Sequence, residues 1–148
     1  MLKVILIDDE QNCTEMLEWQ LKKYCPQVEI LDMCNDPKMA VEKIKTLRPD
    51  LIFLDIEMPH MNGFDLLKQF DKIDFDIVFT TAYDQFAVKA FKISALDYLL
   101  KPIDKDELIA AVEKAEGQRN RAVTTDQIQL LLQTINEPKQ KGKRVALT

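Results

Sequence analysis

The sequence predicts an α/β fold in which five βα units form a doubly wound parallel sheet. Apolar, β-type runs alternate with amphipathic helical stretches about every 20–25 residues along the chain. The run Leu51–Leu54 is apolar throughout and leads into Asp55 and a turn, which is typical of a strand buried on both faces of a parallel sheet. The chain has only three glycines in 148 residues, which argues against sandwiches, barrels and repeat proteins.

Five strands are predicted from apolar runs that end at polar or turn residues. They are Val4–Ile7, Val28–Cys34, Leu51–Asp55, Ile77–Thr81 and Tyr98–Leu100. The second run alternates roughly between apolar and polar residues, as expected of a half-exposed strand at the edge of the sheet.

The first two helices are predicted from capping residues and apolar periodicity. Asn12, with Glu15 three residues later, resembles a capping box. The predicted apolar face of this helix carries Met16, Leu17, Leu21 and Tyr24, and Pro26 ends it. Asp36 and Pro37 supply the N-cap and the first-turn proline of the second helix.

Three further helices are predicted between the later strands and after the last one. A short third helix after Gly63 presents Phe64, Leu67 and Phe70. A weakly amphipathic fourth helix spans Phe86–Phe91, and a fifth begins at Asp104, which caps it together with Glu107.

The pattern changes after residue 121. Thr124 and Gln127 form another possible capping box, and a helical apolar stripe follows at Ile128, Leu131, Leu132 and Ile135. A basic tail begins after Pro138. We therefore expect one domain over residues 1–121, and over residues 122–148 a linker helix and the start of a truncated C-terminal domain. The stripe is interpreted as either a docking or a dimer surface.

Composition limits the class of protein. The net charge of −5 argues weakly against direct nucleic-acid binding by this stretch. Three cysteines without a C-x-x-C pair indicate reduced thiols in a cytosolic protein. No apolar run approaches the roughly 18 residues that a membrane span needs, and acidic residues follow the first strand too early for a signal peptide. We expect a cytoplasmic protein without a membrane partner.

Five polar residues follow predicted strands and should meet at one edge of the sheet: Asp8, Asp9, Asp55, Thr81 and Lys101. Clustered carboxylates repel one another, and a hard divalent ion such as Mg²⁺ relieves that repulsion. The lysine and the hydroxyl suit the oxygens of a phosphoryl group. Phosphoryl transfer needs in-line positioning and charge neutralisation more than covalent chemistry, so Asp55 is a plausible nucleophile that forms an acyl phosphate.

Four motifs occur in order and at suitable spacing: Ile7-Asp8-Asp9-Glu10, Asp55-x-x-x-Pro59-x-Met61-x-Gly63, Thr81-Ala82 and Lys101-Pro102. Together they make the chain resemble response-regulator receiver domains over roughly residues 1–121. The resemblance implies a flavodoxin-like fold with the five-stranded order 2-1-3-4-5.

The same resemblance implies a role for each matching acidic position. Asp55 is the expected phosphoacceptor. Asp9 and Asp55 are expected to bind Mg²⁺ directly, Asp8 through a coordinated water, and Glu57 through its backbone carbonyl. The Glu57 side chain departs from the neutral residue expected there.

The resemblance also implies contacts to the phosphate and a conformational switch. Thr81 and Lys101 are expected to contact the phosphate, although Thr80 competes with Thr81 for this role. Tyr98 matches the switch aromatic of the family. The Lys101–Pro102 peptide bond is expected to be cis.

A narrower likeness is to the LytR/AlgR-type regulators, which carry a C-terminal LytTR DNA-binding domain. It lies in Phe79–Phe91 and Ala95–Ile103. Lys143–Leu147 resembles the opening of that domain, so DNA binding is expected only through the missing C-terminal part.

The predicted function is a two-component switch that receives a phosphoryl group on Asp55 from a sensor histidine kinase and alters a transcription-regulating output. Homodimerisation on phosphorylation is expected through helix 4, strand 5 and helix 5. We expect no enzyme activity beyond self-catalysed phosphoryl transfer and autodephosphorylation.

Two other classes of function are weaker. A haloacid-dehalogenase-type aspartyl-phosphate hydrolase needs D-x-D-x-T/V after its first strand, whereas that strand here ends in Asp8-Asp9-Glu10. A phosphorylation-independent interaction module is disfavoured because none of the expected site residues is lost.

Overall fold

The structure of the protein is a computed structural model that describes residues 1–84, 89 and 93–119. Its elements in chain order are β1 (Leu2–Ile7), α1 (Gln11–Tyr24), β2 (Val28–Cys34), α2 (Pro37–Leu47), β3 (Leu51–Asp55), α3 (Gly63–Leu67), β4 (Asp76–Thr81) and β5 (Asp97–Leu100). A further helix covers residues 105–119.

The strands form one five-stranded parallel sheet in the order β2-β1-β3-β4-β5. This confirms the predicted fold class and strand order. The strand β3 is central, and all five of its residues are buried because it has a neighbour on each side and apolar side chains against each face. The strand β2 lies at the edge, as its mixed pattern predicted, and its register against β1 shifts between Val4 and Ile5.

Two hydrophobic cores cover the two faces of the sheet. Successive residues of β1 divide between them: Ile5 and Ile7 pack with α2 and α3, whereas Val4 and Leu6 pack with α1 and the 105–119 helix. This division follows from the two-residue period of a strand. Because apolar side chains cover both faces of the sheet, polar side chains from the strands can lie close together at its carboxyl edge.

The first helix differs from its prediction. It begins at Gln11, and its N-cap Glu10 makes no side-chain cap hydrogen bond, so the predicted Asn12–Glu15 capping box is wrong. Glu15 accepts a hydrogen bond from the side chain of Gln11 instead, at 2.9 Å. Met16 is 59% exposed rather than part of the buried face, whereas the small polar residue Thr14 is buried.

The predicted N-caps Asp36 and Asp104 are confirmed. The Asp36 carboxylate accepts from the backbone amide of Lys38, with Pro37 in the first turn of α2. The Asp104 carboxylate accepts from the amide of Glu107 at 3.0 Å and so caps the 105–119 helix. Asn62 and Asp65 form a capping box at the start of the short helix α3, which was not predicted from the sequence.

Several predictions lie outside the described residues. They concern the helix at Phe86–Phe91, apart from residue 89, and everything from residue 120 onward, including the stripe from Ile128 to Ile135. Among the described residues, no helix is both long and apolar enough to cross a bilayer.

Candidate functional site

Three carboxylates meet where β1 and β3 end. The two strands are neighbours, with Ile7 opposite Leu54, so the residues that follow Ile7 lie beside Asp55 at the carboxyl edge. Carboxylate oxygens of Asp8, Asp9 and Asp55 all lie within 4.8 Å of one another. Asp8 and Asp55 are buried, and Asp9 is half-buried. The structure therefore brings the predicted acidic residues together.

Lys101 reaches this cluster from the end of β5. Its backbone amide donates to the carbonyl of Thr81 at 2.8 Å, which fixes the start of the loop beside β4. Its Nζ lies 2.7 Å from Asp8 Oδ2 and 3.6 Å from Asp55 Oδ1. The Lys101–Pro102 peptide bond is cis, as expected. The site thus holds one ammonium group among three carboxylates.

The electrostatics of the site show an excess of negative charge. Burial, and then the nearby charge of Asp8, raise the pKa of Asp55 to about 7, although Lys101 acts in the opposite direction. Burial and Asp8 also raise the pKa of Asp9. Burial lowers the pKa of Lys101, but the hydrogen bond that Lys101 donates to Asp8 and the charge of Asp55 outweigh burial and raise the pKa overall. One lysine does not neutralise three clustered acids.

Asp8 already uses both carboxylate oxygens within the chain. Its Oδ1 accepts from the backbone amide of Glu10 at 2.9 Å, and its Oδ2 accepts from Lys101. In contrast, Asp55 has a longer contact to Lys101, and its carboxylate accepts a hydrogen bond from the backbone amide of Glu57. Short contacts within the protein therefore hold both oxygens of the Asp8 carboxylate in place.

Gly63 is required by the close approach of α3 to the end of β3. A Cβ atom at this position would lie 2.7 Å from the carbonyl oxygen of Asp55 and 3.2 Å from the Cα of Ile56. Both are backbone atoms of the segment that carries the central carboxylate. The glycine of the D-x-x-x-P-x-M-x-G motif is thus explained by packing against the strand end.

Thr81 and Tyr98 contact the same residue, Tyr83. The Thr81 hydroxyl accepts from the Tyr83 backbone amide at 3.2 Å, and the Tyr98 hydroxyl donates to the Tyr83 carbonyl. Thr81 is fully buried at the end of β4, next to Thr80, which pairs with Asp55. The two predicted switch residues are therefore connected through one residue of the loop after β4.

The backbone of Glu57 lies at the site, whereas its side chain is exposed.

Two residues to which the sequence analysis gave no role at the site also contact the cluster. The Sγ of Cys13 lies 3.5 Å from the Nζ of Lys101, and the side chain of Asn35 donates to the carbonyl of Asp8 at 2.7 Å. The position of Cys13 in the first turn of α1, directly after the acidic loop, could have indicated its contact with the site. The position of Asn35 directly after β2 could have indicated the same.

The arrangement suits a hard cation and a tetrahedral anion held side by side. Converging carboxylate oxygens are the ligands that Mg²⁺ and Ca²⁺ prefer, and here three carboxylates share the single positive charge of Lys101. Lys101 offers the ammonium group that can contact an anion bound at Asp55.

The sequence matches the model of the response regulator receiver domain over residues 4–113. It is 38% identical over 129 residues to the sensory transduction protein LytT of Bacillus subtilis, covering 86% of this chain and 53% of that protein. It is 43% identical over 109 residues to an uncharacterized response regulatory protein of Yersinia pestis, covering 73% of this chain and 45% of that protein. The chain thus spans about half the length of the curated relatives it matches.

The fold is similar to that of solved receiver structures. The response regulatory domain of protein mrkE from Klebsiella pneumoniae superposes with a TM-score of 0.73 at 30% identity, covering 81% of this chain and 99% of that one. The relatives named LytT agree with the LytR/AlgR-type likeness seen in the sequence. The chain belongs to the response regulator receiver domain family.

Proposed function

We propose that Asp55 accepts a phosphoryl group from a phosphohistidine of a sensor histidine kinase, and that the chain then changes an output surface. The observation that carries this proposal is the convergence of Asp8, Asp9 and Asp55 within 4.8 Å, with Lys101 against two of them. Receiver family membership supports the kinase as the partner.

The transfer is a displacement at phosphorus. A carboxylate oxygen of Asp55 forms the new P–O bond while the P–N bond to the donor imidazole breaks, and the imidazole leaves with the bonding electron pair. Asp55 must be ionised to attack. Since burial and Asp8 raise its pKa to about 7, added positive charge at the site favours the reactive form.

We assign that charge to Mg²⁺, which fits the oxygen donors and the charge deficit of the cluster. When bound, Mg²⁺ neutralises the phosphoryl oxygens and the carboxylates. Asp9 and Asp55 would hold it directly. Asp8 would act through a coordinated water, which agrees with its two short contacts within the chain, and the Glu57 carbonyl would complete the protein ligands.

Lys101 and Thr81 would contact the transferred phosphoryl group. Lys101 lies 3.6 Å from the Asp55 carboxylate, so its ammonium is close enough to contact an oxygen of a phosphoryl group attached to Asp55 while it stays paired with Asp8. Thr81 would donate its hydroxyl to another phosphoryl oxygen, and the side-chain rotation that aims the hydroxyl there would carry its oxygen away from the Tyr83 amide.

The switch follows from that exchange. If the Thr81 hydroxyl turns toward phosphate, the loop at Tyr83 loses its bond to Thr81 and keeps the bond from Tyr98, so the position of the loop then depends on Tyr98. Phosphorylation would thus bias a two-state element at the end of β4 and β5.

The output is proposed to be homodimerisation through the face made by the predicted fourth helix, β5 and the 105–119 helix. Leu100 of β5 is 42% exposed, and Asp97 lies on the same strand. Lys105 and Asp106 are exposed at the start of the 105–119 helix. Asp97 is already paired with Lys114 at 3.3 Å. In a chain with a LytTR domain after the receiver, the dimer would bring two DNA-binding domains together, which is how transcription would be regulated.

The experiment is incubation with acetyl phosphate and Mg²⁺ followed by intact mass spectrometry. The wild-type chain should gain one phosphoryl group, and neither Asp55→Asn nor the wild type in excess chelator should gain any. Continuous hydrolysis of many phosphate esters without a stable adduct would instead favour the aspartyl-phosphate hydrolase. No adduct in any condition would favour an interaction module that works without phosphorylation.

A further inference from the structure

We propose that Asn35 is a positioning residue for the cation site, and that it acts by holding the backbone of the Asp8–Asp9 loop. The role rests on the proposed function because it concerns the same Mg²⁺. Asn35 lies in the turn after β2, outside the motifs that identify the family, and it is an exposed residue whose side-chain amide makes two partly buried hydrogen bonds.

The orientation of the Asn35 amide follows from its partners. Its side-chain nitrogen lies 2.7 Å from the carbonyl oxygen of Asp8 and 3.2 Å from the hydroxyl of Thr14. A carbonyl oxygen can only accept, so the group facing it must be the NH₂ of the amide. The Thr14 hydroxyl donates to the carbonyl of Gln11 at 3.0 Å, and its oxygen is therefore free to accept from Asn35.

These bonds hold Asp8 from both sides. The backbone amide of Asp8 donates to the carbonyl of Cys34 at 3.1 Å, and the carbonyl of Asp8 accepts from Asn35. Thr14 is buried in the first turn of α1. Asn35 thus joins the turn after β2, the loop after β1 and the start of α1.

The peptide held by Asn35 is the one that leads into Asp9. Rotation of the Asp8 carbonyl would turn the same peptide plane and move the Asp9 carboxylate relative to Asp55. Mg²⁺ demands near-ideal octahedral geometry, so a small displacement of one ligand weakens binding. Residues that orient metal ligands typically contribute about 10–100-fold in metal affinity or activity.

The test is Mg²⁺ binding by isothermal titration calorimetry to the wild type and Asn35→Ala. We expect Asn35→Ala to weaken binding about tenfold. The Mg²⁺ concentration that gives half-maximal labelling by acetyl phosphate should rise by the same factor. The labelling rate at saturating Mg²⁺ should stay within about twofold of the wild type, because the nucleophile itself is unchanged. A loss of stability alone would not produce this pattern.

Asn12→Ala is the matched control, since Asn12 is an exposed asparagine of α1, the helix that carries Thr14, and its replacement should leave Mg²⁺ affinity unchanged. Thr14→Val removes the second bond of Asn35, together with the bond that Thr14 donates to Gln11, and leaves the bond from Asn35 to Asp8 in place. It should weaken Mg²⁺ binding by about two- to threefold, as expected for the loss of one supporting hydrogen bond. If Asn35→Ala does not fold, as judged by circular dichroism, Thr14→Val decides, and an affinity equal to the wild type overturns the proposal.

A folded Asn35→Ala protein with wild-type Mg²⁺ affinity also overturns it, whatever its thermal stability. Mg²⁺ binding and labelling of the wild-type chain distinguish this outcome from a failure of the proposed function. A wild-type chain that binds Mg²⁺ and is labelled, alongside an unaffected Asn35→Ala, rejects only the role of Asn35. A wild-type chain that neither binds Mg²⁺ nor is labelled rejects both.

Discussion

Lys101 and Asp8 form an ion pair of 2.7 Å across 93 positions of sequence, and their side chains are only 21% and 7% exposed. The pair connects the loop after β5 to the loop after β1, across the ends of β3 and β4. Lys101 also lies 3.6 Å from Asp55. Among the described residues, it is the only lysine that forms an ion pair with the carboxylate cluster.

Replacing Lys101 by alanine should leave the clustered acids without their ammonium partner. Removing one member of a buried pair is destabilising because the other charge stays buried. We expect Lys101→Ala to lower the free energy of unfolding by about 1–3 kcal/mol without Mg²⁺. Urea unfolding with and without Mg²⁺ measures this, and Mg²⁺ should restore more stability to the variant than it adds to the wild type.

The matched control is Lys43→Ala, which breaks the Lys43–Asp32 pair at 3.2 Å. That pair is solvent-exposed, with side chains 44% and 32% exposed, so its loss should change stability by less than about 1 kcal/mol. Equal losses for the two variants, or no effect of Mg²⁺ on either, would contradict the role given to Lys101.

Gly63→Ala should distort the end of β3. The new Cβ would lie 2.7 Å from the Asp55 carbonyl oxygen, so either α3 or the strand end must move. We expect a loss of about 2 kcal/mol or more and slower labelling at Asp55. Chemical unfolding and acetyl-phosphate labelling measure the two effects.

Gly117→Ala is the control for Gly63→Ala. Gly117 lies in the 105–119 helix with no atom within 4 Å of a built Cβ. Alanine is favoured over glycine in helices, so this variant should gain about 0.5–1 kcal/mol. A Gly63→Ala protein as stable and as readily labelled as Gly117→Ala would refute the packing explanation of the motif.

Asp76→Asn should change how stability depends on pH. Burial, and then the nearby charge of Asp50, raise the pKa of Asp76 from 3.8 to about 6, although Arg119 acts in the opposite direction. The folded state therefore holds this proton more tightly than the unfolded chain. The stability contributed by protonation is fully present below about pH 4 and is lost as the pH rises through about 6.

The asparagine variant cannot ionise and so does not lose this stability as the pH rises. It should be more stable than the wild type by about 1–2 kcal/mol at pH 7.5, and the missing ionisation should give it no advantage at pH 4. Urea unfolding at the two pH values measures the difference. Asp74→Asn, at an exposed position two residues earlier, should show no such pH dependence. A gain for Asp76→Asn that is the same at both pH values would mean that ionisation is not its cause.

Beryllofluoride, a mimic of the phosphoryl group, should convert the wild-type chain from monomer to dimer in the presence of Mg²⁺. Tyr98→Phe removes the hydroxyl that donates to the Tyr83 carbonyl, so it should weaken this dimer while leaving acetyl-phosphate labelling within about twofold. Sedimentation velocity well above micromolar concentration measures both states. An unchanged monomer with beryllofluoride would reject dimerisation as the output, and a full-strength dimer of Tyr98→Phe would reject the role of its hydroxyl.

The sequence predicted the sheet and its acidic edge because both follow from local patterns. A buried parallel strand is an apolar run, and Asp8, Asp9 and Asp55 each follow such a run. Strand order and the individual roles came from the family resemblance. The structure confirms the order, and it places Lys101 against two of the three acids.

Contacts between distant segments could not be predicted in this way. Asn35 hydrogen-bonds the Asp8 carbonyl through its side chain, and no local period encodes such a bond. The capping box predicted at Asn12 is wrong because the N-cap of α1 is Glu10, two residues earlier, and the helix begins at Gln11, directly after the acidic loop. Thr14 rather than Met16 is buried because Thr14 lies on the same helix face as Leu17 and Leu21, and its hydroxyl is satisfied there by Gln11 and Asn35.

The central claim is that Asp55, and neither Asp8 nor Asp9, receives the phosphoryl group. Borohydride reduces an aspartyl phosphate to homoserine, and tandem mass spectrometry then locates the altered residue. After labelling with acetyl phosphate and Mg²⁺, we predict homoserine at position 55 alone. Homoserine at position 8 or 9, or reduction at several acids to similar extents, would contradict the account.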